Sequence, residues 1–194
     1  MPAPEKPTFG SYCQFARAQD KDNVHRHHHD HQHGFPRKSD NELFEQLILE
    51  INQAGLSWDI ILKKQATFRA AYADFDIDQI AAFTETDRAR LLADPGIVRN
   101  RLKVNAAIDN AQRIQALRQT HDGFAGWLNA HAPTMQGKED WVKLFKKTFR
   151  FTGGEIVNEF LMSAGYLPGA HDQDCPLYAK IAKLKPAWMA TTRT

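Results

Sequence analysis

The chain predicts an all-α fold, and three observations carry that expectation. From Ser39 onward apolar residues recur at three- and four-residue spacing. Successive segments are bracketed by Ser, Thr or Asp caps and by glycine stops. No segment alternates apolar and polar residues as a half-buried strand does. At 194 residues there is room for one domain with a core of ordinary size. The net charge is only +2, so the whole chain announces no polyanion partner, and that argument falls to local clusters. No run of 18 apolar residues is present, so no membrane span is expected. Two cysteines, Cys13 and Cys175, in a chain without a signal peptide suggest a reducing compartment, with the cytoplasm as the expected location.

Taken in order, residues 1–11 are Pro-rich and expected to be a flexible segment. Residues 17–38 are polar and hold six of the nine histidines, between His25 and His33. A solvated, weakly metal-binding loop and a cloning tag are two readings of that run. Ser39-Asp40-Asn41-Glu42 is a capping box that opens a helix stopped by Gly55. Ser57 caps a second helix through Ile61, Leu62, Phe68 and Tyr72, and Asp76 opens a third over 77–83. Thr84-Glu85-Thr86-Asp87 opens a fourth that ends near Ala93, before an Asp94-Pro95-Gly96 turn. The long helix that follows places Leu102, Ala106, Ile108, Ala111, Ile114 and Leu117 on its apolar stripe. Further helices are expected over Gly123–His131, Lys138–Phe149 and Gly154–Ala164, the last ended by Gly165. The single domain is expected over 12–184, with 185–194 as a tail.

Within the Ser39 helix, Leu43, Leu47, Glu50 and Ala54 point the same way, while Glu42, Glu45, Gln46, Asn52 and Gln53 fall on the other side. Glu50 is therefore a carboxylate on a core-facing stripe, costly to bury unless something pairs with it or needs it. A structural partner is one reading. A functional one comes from Gln53-Ala54-Gly55-Leu56-Ser57-Trp58, which puts an aromatic and an apolar residue beside the carboxylate. That suits a flipped, positively charged base, stacked on Trp58 and hydrogen-bonded by Glu50. The alternative is that Trp58 and Leu56 are core.

Two other constellations bear on chemistry. Leu91 to Arg99 reads as helix, tight glycine turn, helix, which would offer N–H groups to a phosphate beside Arg99, Arg101 and Lys103. An ordinary αα-turn with a solvated basic face fits equally. Lys143, Lys146, Lys147 and Arg150, with Phe145, Phe149 and Phe151 among them, form a second basic patch or an amphipathic surface helix. His171-x3-Cys175 has the spacing of two ligands to one tetrahedral zinc, with Cys13 and the histidine run as sources of two more. Two unrelated free cysteines are the other reading.

Taken together these residues resemble the DNA-3-methyladenine glycosylase I family. The likeness spans roughly residues 12–178, and its most specific string is Gln53-Ala54-Gly55-Leu56-Ser57-Trp58. Gly96-Ile97-Val98-Arg99, Phe149-Arg150-Phe151-Thr152-Gly153 and Phe160-Leu161-Met162-Ser163-Ala164-Gly165 continue it. The resemblance implies an all-α, helix-hairpin-helix DNA glycosylase-like fold, with a structural zinc joining the N- and C-terminal segments through Cys13, His29, His171 and Cys175. It implies hydrolysis of the N-glycosidic bond of 3-methyladenine in alkylated double-stranded DNA, by a monomer. Glu50 takes the family's catalytic, base-binding position, Trp58 its stacking position, and Leu56 the loop that fills the gap left by the extruded nucleotide. Gly96, Arg99 and Lys103 fall at the DNA backbone. The family's Tyr-His-Asp-x-Glu-Trp-Gly string reads His28-His29-Asp30-His31-Gln32-His33-Gly34 here, so His28 and His33 replace a pocket Tyr and Trp. Phe15 stands where a further Trp is expected. A protonated imidazole at either position would repel a cationic base. Two competing functions follow: a DNA-binding relative that no longer excises a base, and a metal-handling protein that uses His25–His33.

Overall fold

A computed structural model describes residues 9–37 and 39–191, and among them there is no β-strand. Of the expected flexible segment and tail, residues 1–8 and 192–194 lie outside the described residues. Thirteen α-helices follow one another: α1 (Tyr12–Arg17), α2 (Val24–His31), α3 (Asp40–Gln53), α4 (Trp58–Lys63), α5 (Gln65–Ala71), α6 (Ile77–Ala81), α7 (Glu85–Ala93), α8 (Arg101–His121), α9 (Gly123–His131), α10 (Lys138–Thr148), α11 (Gly154–Ser163), α12 (Pro176–Lys183) and α13 (Trp188–Thr191).

α3 is the centre of the molecule, with α4, α8, α9 and α11 packed around it. Its capping box forms as the sequence predicts, Ser39 accepting from the Glu42 N–H and Glu42 from the Ser39 N–H. The two-sided helix expected there is not what folds. Gln46 and Asn52 are buried along with Leu43, Phe44, Leu47, Ile48, Leu49, Glu50 and Ile51, because neighbours cover α3 on nearly every side. Asn52 survives burial by donating to the Ile48 carbonyl at 2.8 Å, and Gln46 by bonding Glu50.

Four further differences have physical causes. The histidine-rich segment is helix, not loop: Asn23 caps α2 by accepting the His25 N–H at 2.8 Å, and Arg26 pairs with Asp30 one turn on. His25, His28 and His29 bury their rings, so this polar-looking run packs as aromatic surface. The Ser57 helix breaks at Lys64 into α4 and α5, after which Ala73, Asp74 and Phe75 all take positive φ. Leu102, expected on the core stripe of α8, is 66% exposed. In the expected tail, Pro186 is buried and the Trp188 N–H donates to the Gly165 carbonyl at 3.3 Å.

Two joints fix how the helices meet. Asp40, at the start of α3, accepts from the Phe124 and Ala125 N–H groups at 2.9 and 2.8 Å, so it caps α9 from across the fold. Lys103, in the first turn of α8, sends its Nζ to the Asn52 and Ala54 carbonyls at 2.8 and 2.6 Å. These are orphan acceptors at the C-terminal end of α3, where a cation is favoured.

Candidate active site and metal centre

The loop after α3 is shaped by two residues. Gly55 adopts φ +82, open to glycine and strained for other residues, and Gln53 donates its side-chain N–H to the Leu56 carbonyl at 2.8 Å. The turn delivers Trp58 to the first residue of α4, half-buried over a cavity of about 370 Å³. Tyr12, His28, His33, Glu50, Gln53, Trp58, Glu159 and Met162 are among the residues that line it. His28 meets Trp58 edge-to-face at 5.2 Å between ring centroids, and Tyr12 meets His33 likewise at 5.4 Å. These rings share the cavity lining with the carboxyls of Glu50, Glu159 and Asp172.

Glu50 is 5% exposed. Gln46 donates to its Oε1 at 2.7 Å, and Arg37 in turn donates to Gln46 Oε1 at 2.5 Å, so a guanidinium supports the carboxyl through one side chain. Burial, reinforced by the charge of Glu159 and opposed by Gln46 and Arg37, pushes Glu50 up to about 8. His28 and His33 move the other way. Burial drives His28 down to about 3 and His33 well below its ordinary value, so both rings stay neutral at physiological pH and the expected repulsion of a cation does not arise.

Phe15 is not among the residues that line this cavity. It packs edge-on against His25 at 5.0 Å, one turn from the place that Tyr12 fills. Sequence reasoning missed Tyr12, Gln46, Arg37 and Glu159. Only Gln46 had a legible signal, its position one helical turn before Glu50.

Beside the cavity, with Cys13 in its lining, Cys13, His29, His171 and Cys175 are all buried, with their ligand atoms within 4.8 Å of one another. Cys13 Sγ is 3.5 Å from His171 Nδ1, and Cys175 Sγ is 3.6 Å from both His29 Nε2 and His171 Nδ1. Tetrahedral ligation with ordinary zinc bond lengths separates sulfur from nitrogen by about 3.6 Å, so the donor set fits such an ion. The outer atoms are set as well. His29 Nδ1 lies 2.7 Å from Asp30 Oδ1, and His171 Nε2 lies 2.8 Å from the His33 carbonyl, which directs the other ring nitrogen of each inward. The Asp172 N–H points at Cys13 Sγ from 3.3 Å. The four sequence-predicted ligands therefore meet in one cluster that could hold a metal ion.

The hairpin between α7 and α8 is tied down from below: Thr67 donates to the Gly96 carbonyl at 2.6 Å and Lys64 to the Pro95 carbonyl at 2.7 Å. A Cβ on Gly96 would sit 2.9 Å from Asp94 Oδ1 and 3.1 Å from Thr67 Cβ, so a larger residue there would have to displace its neighbours. Several of the N–H groups expected to face a phosphate are engaged internally. Asp94 accepts from Gly96, and Asn100 accepts from Leu102 and Lys103. Lys103 is buried on the α3 carbonyls and is not a surface cation, whereas Arg99 and Arg101 are exposed. Leu56 is half-buried against the core. The second basic patch is divided. Phe145 and Phe149 are core, while Lys146, Lys147, Arg150 and the exposed Phe151 border a separate open groove.

A family model described as methyladenine glycosylase matches residues 18–144. DNA-3-methyladenine glycosylase 1 of Escherichia coli (strain K12) is 33% identical over 162 residues, covering 75% of this chain and 86% of that protein. The DNA-3-methyladenine glycosylase of Haemophilus influenzae is 31% identical over 160 residues, covering 74% and 86%. Among solved structures, 3-methyladenine DNA glycosylase I from Staphylococcus aureus gives a TM-score of 0.73 at 32% identity, over 81% of this chain and 92% of that one. A variant of 3-methyladenine DNA glycosylase I in complex with 3-methyladenine gives a TM-score of 0.75 at 32% identity, over 85% and 96%.

Proposed function

The chain belongs to the methyladenine glycosylase family, and from that premise we propose that it is a base-excision repair enzyme that hydrolyses the N-glycosidic bond of 3-methyladenine in alkylated double-stranded DNA. The observation that carries this is the cavity, which pairs the buried Glu50 carboxyl with Trp58 and a neutral aromatic wall. A 3-methylated adenine in DNA is cationic and already a good leaving group. The enzyme must flip it, hold it and admit water to the sugar. Glu50 accepts N–H hydrogen bonds from the base and favours its charge over neutral adenine. Trp58 stacks on it, while Tyr12, His28 and His33 line the same cavity. Water adds at C1′ as the bond to the base breaks. The bonding pair leaves with the base and cancels its charge, and the water proton passes to solvent.

Phosphate contact falls to exposed Arg99 and Arg101 on a helix-hairpin-helix whose turn Gly96 permits. Leu56, on the loop between Glu50 and Trp58, fills the space that the flipped nucleotide leaves. The Cys13, His29, His171 and Cys175 cluster holds a structural zinc, the choice favoured by two thiolates and two imidazoles with no open position. Cysteines used this way suit a reducing compartment such as the cytoplasm. Pocket and ligand cluster are each complete within one chain, consistent with a monomer.

Incubating the protein with methylated duplex DNA and identifying the released base tests the reading. The wild type releases 3-methyladenine, and Glu50→Gln lowers the single-turnover rate by about two orders of magnitude. An unchanged rate removes the role given to Glu50. Duplex binding without base release supports instead a non-excising DNA binder, the reading that His28 and His33 in place of Tyr and Trp favour.

A further inference from the structure

The cavity holds a second carboxylate that the proposed chemistry has not used. α11 packs against α3, and from it Glu159 lines the same 370 Å³ space as Glu50. We propose that Glu159 is a specificity-determining residue of this pocket, and that the Glu50–Glu159 pair restricts it to flipped bases that carry a fixed positive charge. The proposal rests on the cavity being the base pocket.

The charge balance around the cavity supports it. Glu159 is half-buried, and its hydrogen bond comes from its own neighbour, Asn158, at 3.4 Å to Oε1. Lys138, whose charge acts on Glu159, is engaged by Glu155 at 2.8 Å. Arg37 reaches Glu50 only through Gln46. Trp58 and Met162, also in the lining, add no charge. Besides Asp172, which accepts from the Ser11 hydroxyl, two carboxylates line the cavity, Glu50 and Glu159, and no lysine or arginine does; burial and the charge of Glu159 together account for the raised Glu50. A cationic base resolves the repulsion. A neutral purine of the same shape strips water from both carboxyls and offers no charge in return. Were Glu159 only a solvated rim residue, its charge would have no bearing on which base binds.

Binding can be read apart from hydrolysis by the quenching of tryptophan fluorescence. The probes are 3,9-dimethyladeninium, a fixed cation, and 9-methyladenine, its neutral counterpart. Wild type is expected to prefer the cation by at least about tenfold, the scale of one unit charge held a few ångströms away in a partly dry cavity. Glu159→Gln, which keeps the shape, should lose most of that preference through weaker cation binding, with 9-methyladenine affinity unchanged. Glu159→Asp should restore part of it. An unaltered cation preference in Glu159→Gln overturns the proposal. Hydrolysis of methylated DNA by wild type decides the glycosylase reading separately. Activity with no effect of Glu159→Gln on binding leaves that reading standing and removes this one. Cation preference that depends on Glu159, without base release by wild type, does the reverse.

Discussion

Glu50 shows how a single residue's environment becomes measurable. Its folded value of about 8 lies above the ordinary 4.5, so between those limits the folded chain keeps a proton that the unfolded chain has lost. Stability therefore falls as pH rises through that window, because burying the ionised carboxyl costs more with each step. Glu159 and burial act in that direction, and Gln46 and Arg37 resist it. Glu50→Gln, which has no proton to lose, should be more stable than wild type at pH 8 by up to about 4 kcal/mol and near parity at pH 5, by denaturant melts at each pH. A constant difference across the range contradicts the assignment. Periodicity alone placed Glu50 on a core-facing stripe, but it did not reveal Arg37 or Glu159. Glu159 lines the pocket from another helix and Arg37 supports Glu50 through Gln46, contacts that no local pattern encodes.

At the scale of elements, the helices from α3 to α11, the break between α4 and α5 apart, were legible because caps, glycine stops and apolar spacing agree with one another there. α1 and α2 were not. α2 buries three imidazoles, which count as polar in any hydropathy pattern yet pack as rings once neutral, and the short α1 buries only Cys13 and Ala16. Lys103 was misplaced for the opposite reason. A lysine beside two arginines reads as a phosphate contact, and only the fold brings the α3 carbonyls to it. That difference predicts two phenotypes. Lys103→Met should destabilise the protein by about 2–3 kcal/mol, since it leaves two buried acceptors unpaired, while the salt dependence of DNA binding stays as it is. Arg99→Ala should leave the melting temperature within error and lower the salt slope of DNA affinity by about one. Equal slopes for Arg99→Ala and wild type would remove Arg99 from the interface.

At the scale of the whole molecule, the ligand cluster joins residues 158 positions apart, Cys13 and His171, through a single point. An ion there stabilises the folded state by its whole binding free energy. Purified protein should carry about one equivalent of zinc per chain. Stripping it with a strong chelator should lower the unfolding free energy by about 4 kcal/mol or more, with recovery on adding zinc back. Cys175→Ser should show the chelated behaviour from the start. The rings of His27 and His31 lie 4.9 Å apart, tilted to each other, on the exposed side of α2, so metal counts belong after a mild chelator has cleared weak sites. A melting temperature that ignores chelation rules out a structural ion. The same cluster also sets an order on biosynthesis. A ribosome delivers Cys13 and His29 early and must make all the intervening chain before His171 and Cys175 emerge, so the cluster cannot close until that whole stretch has been synthesised.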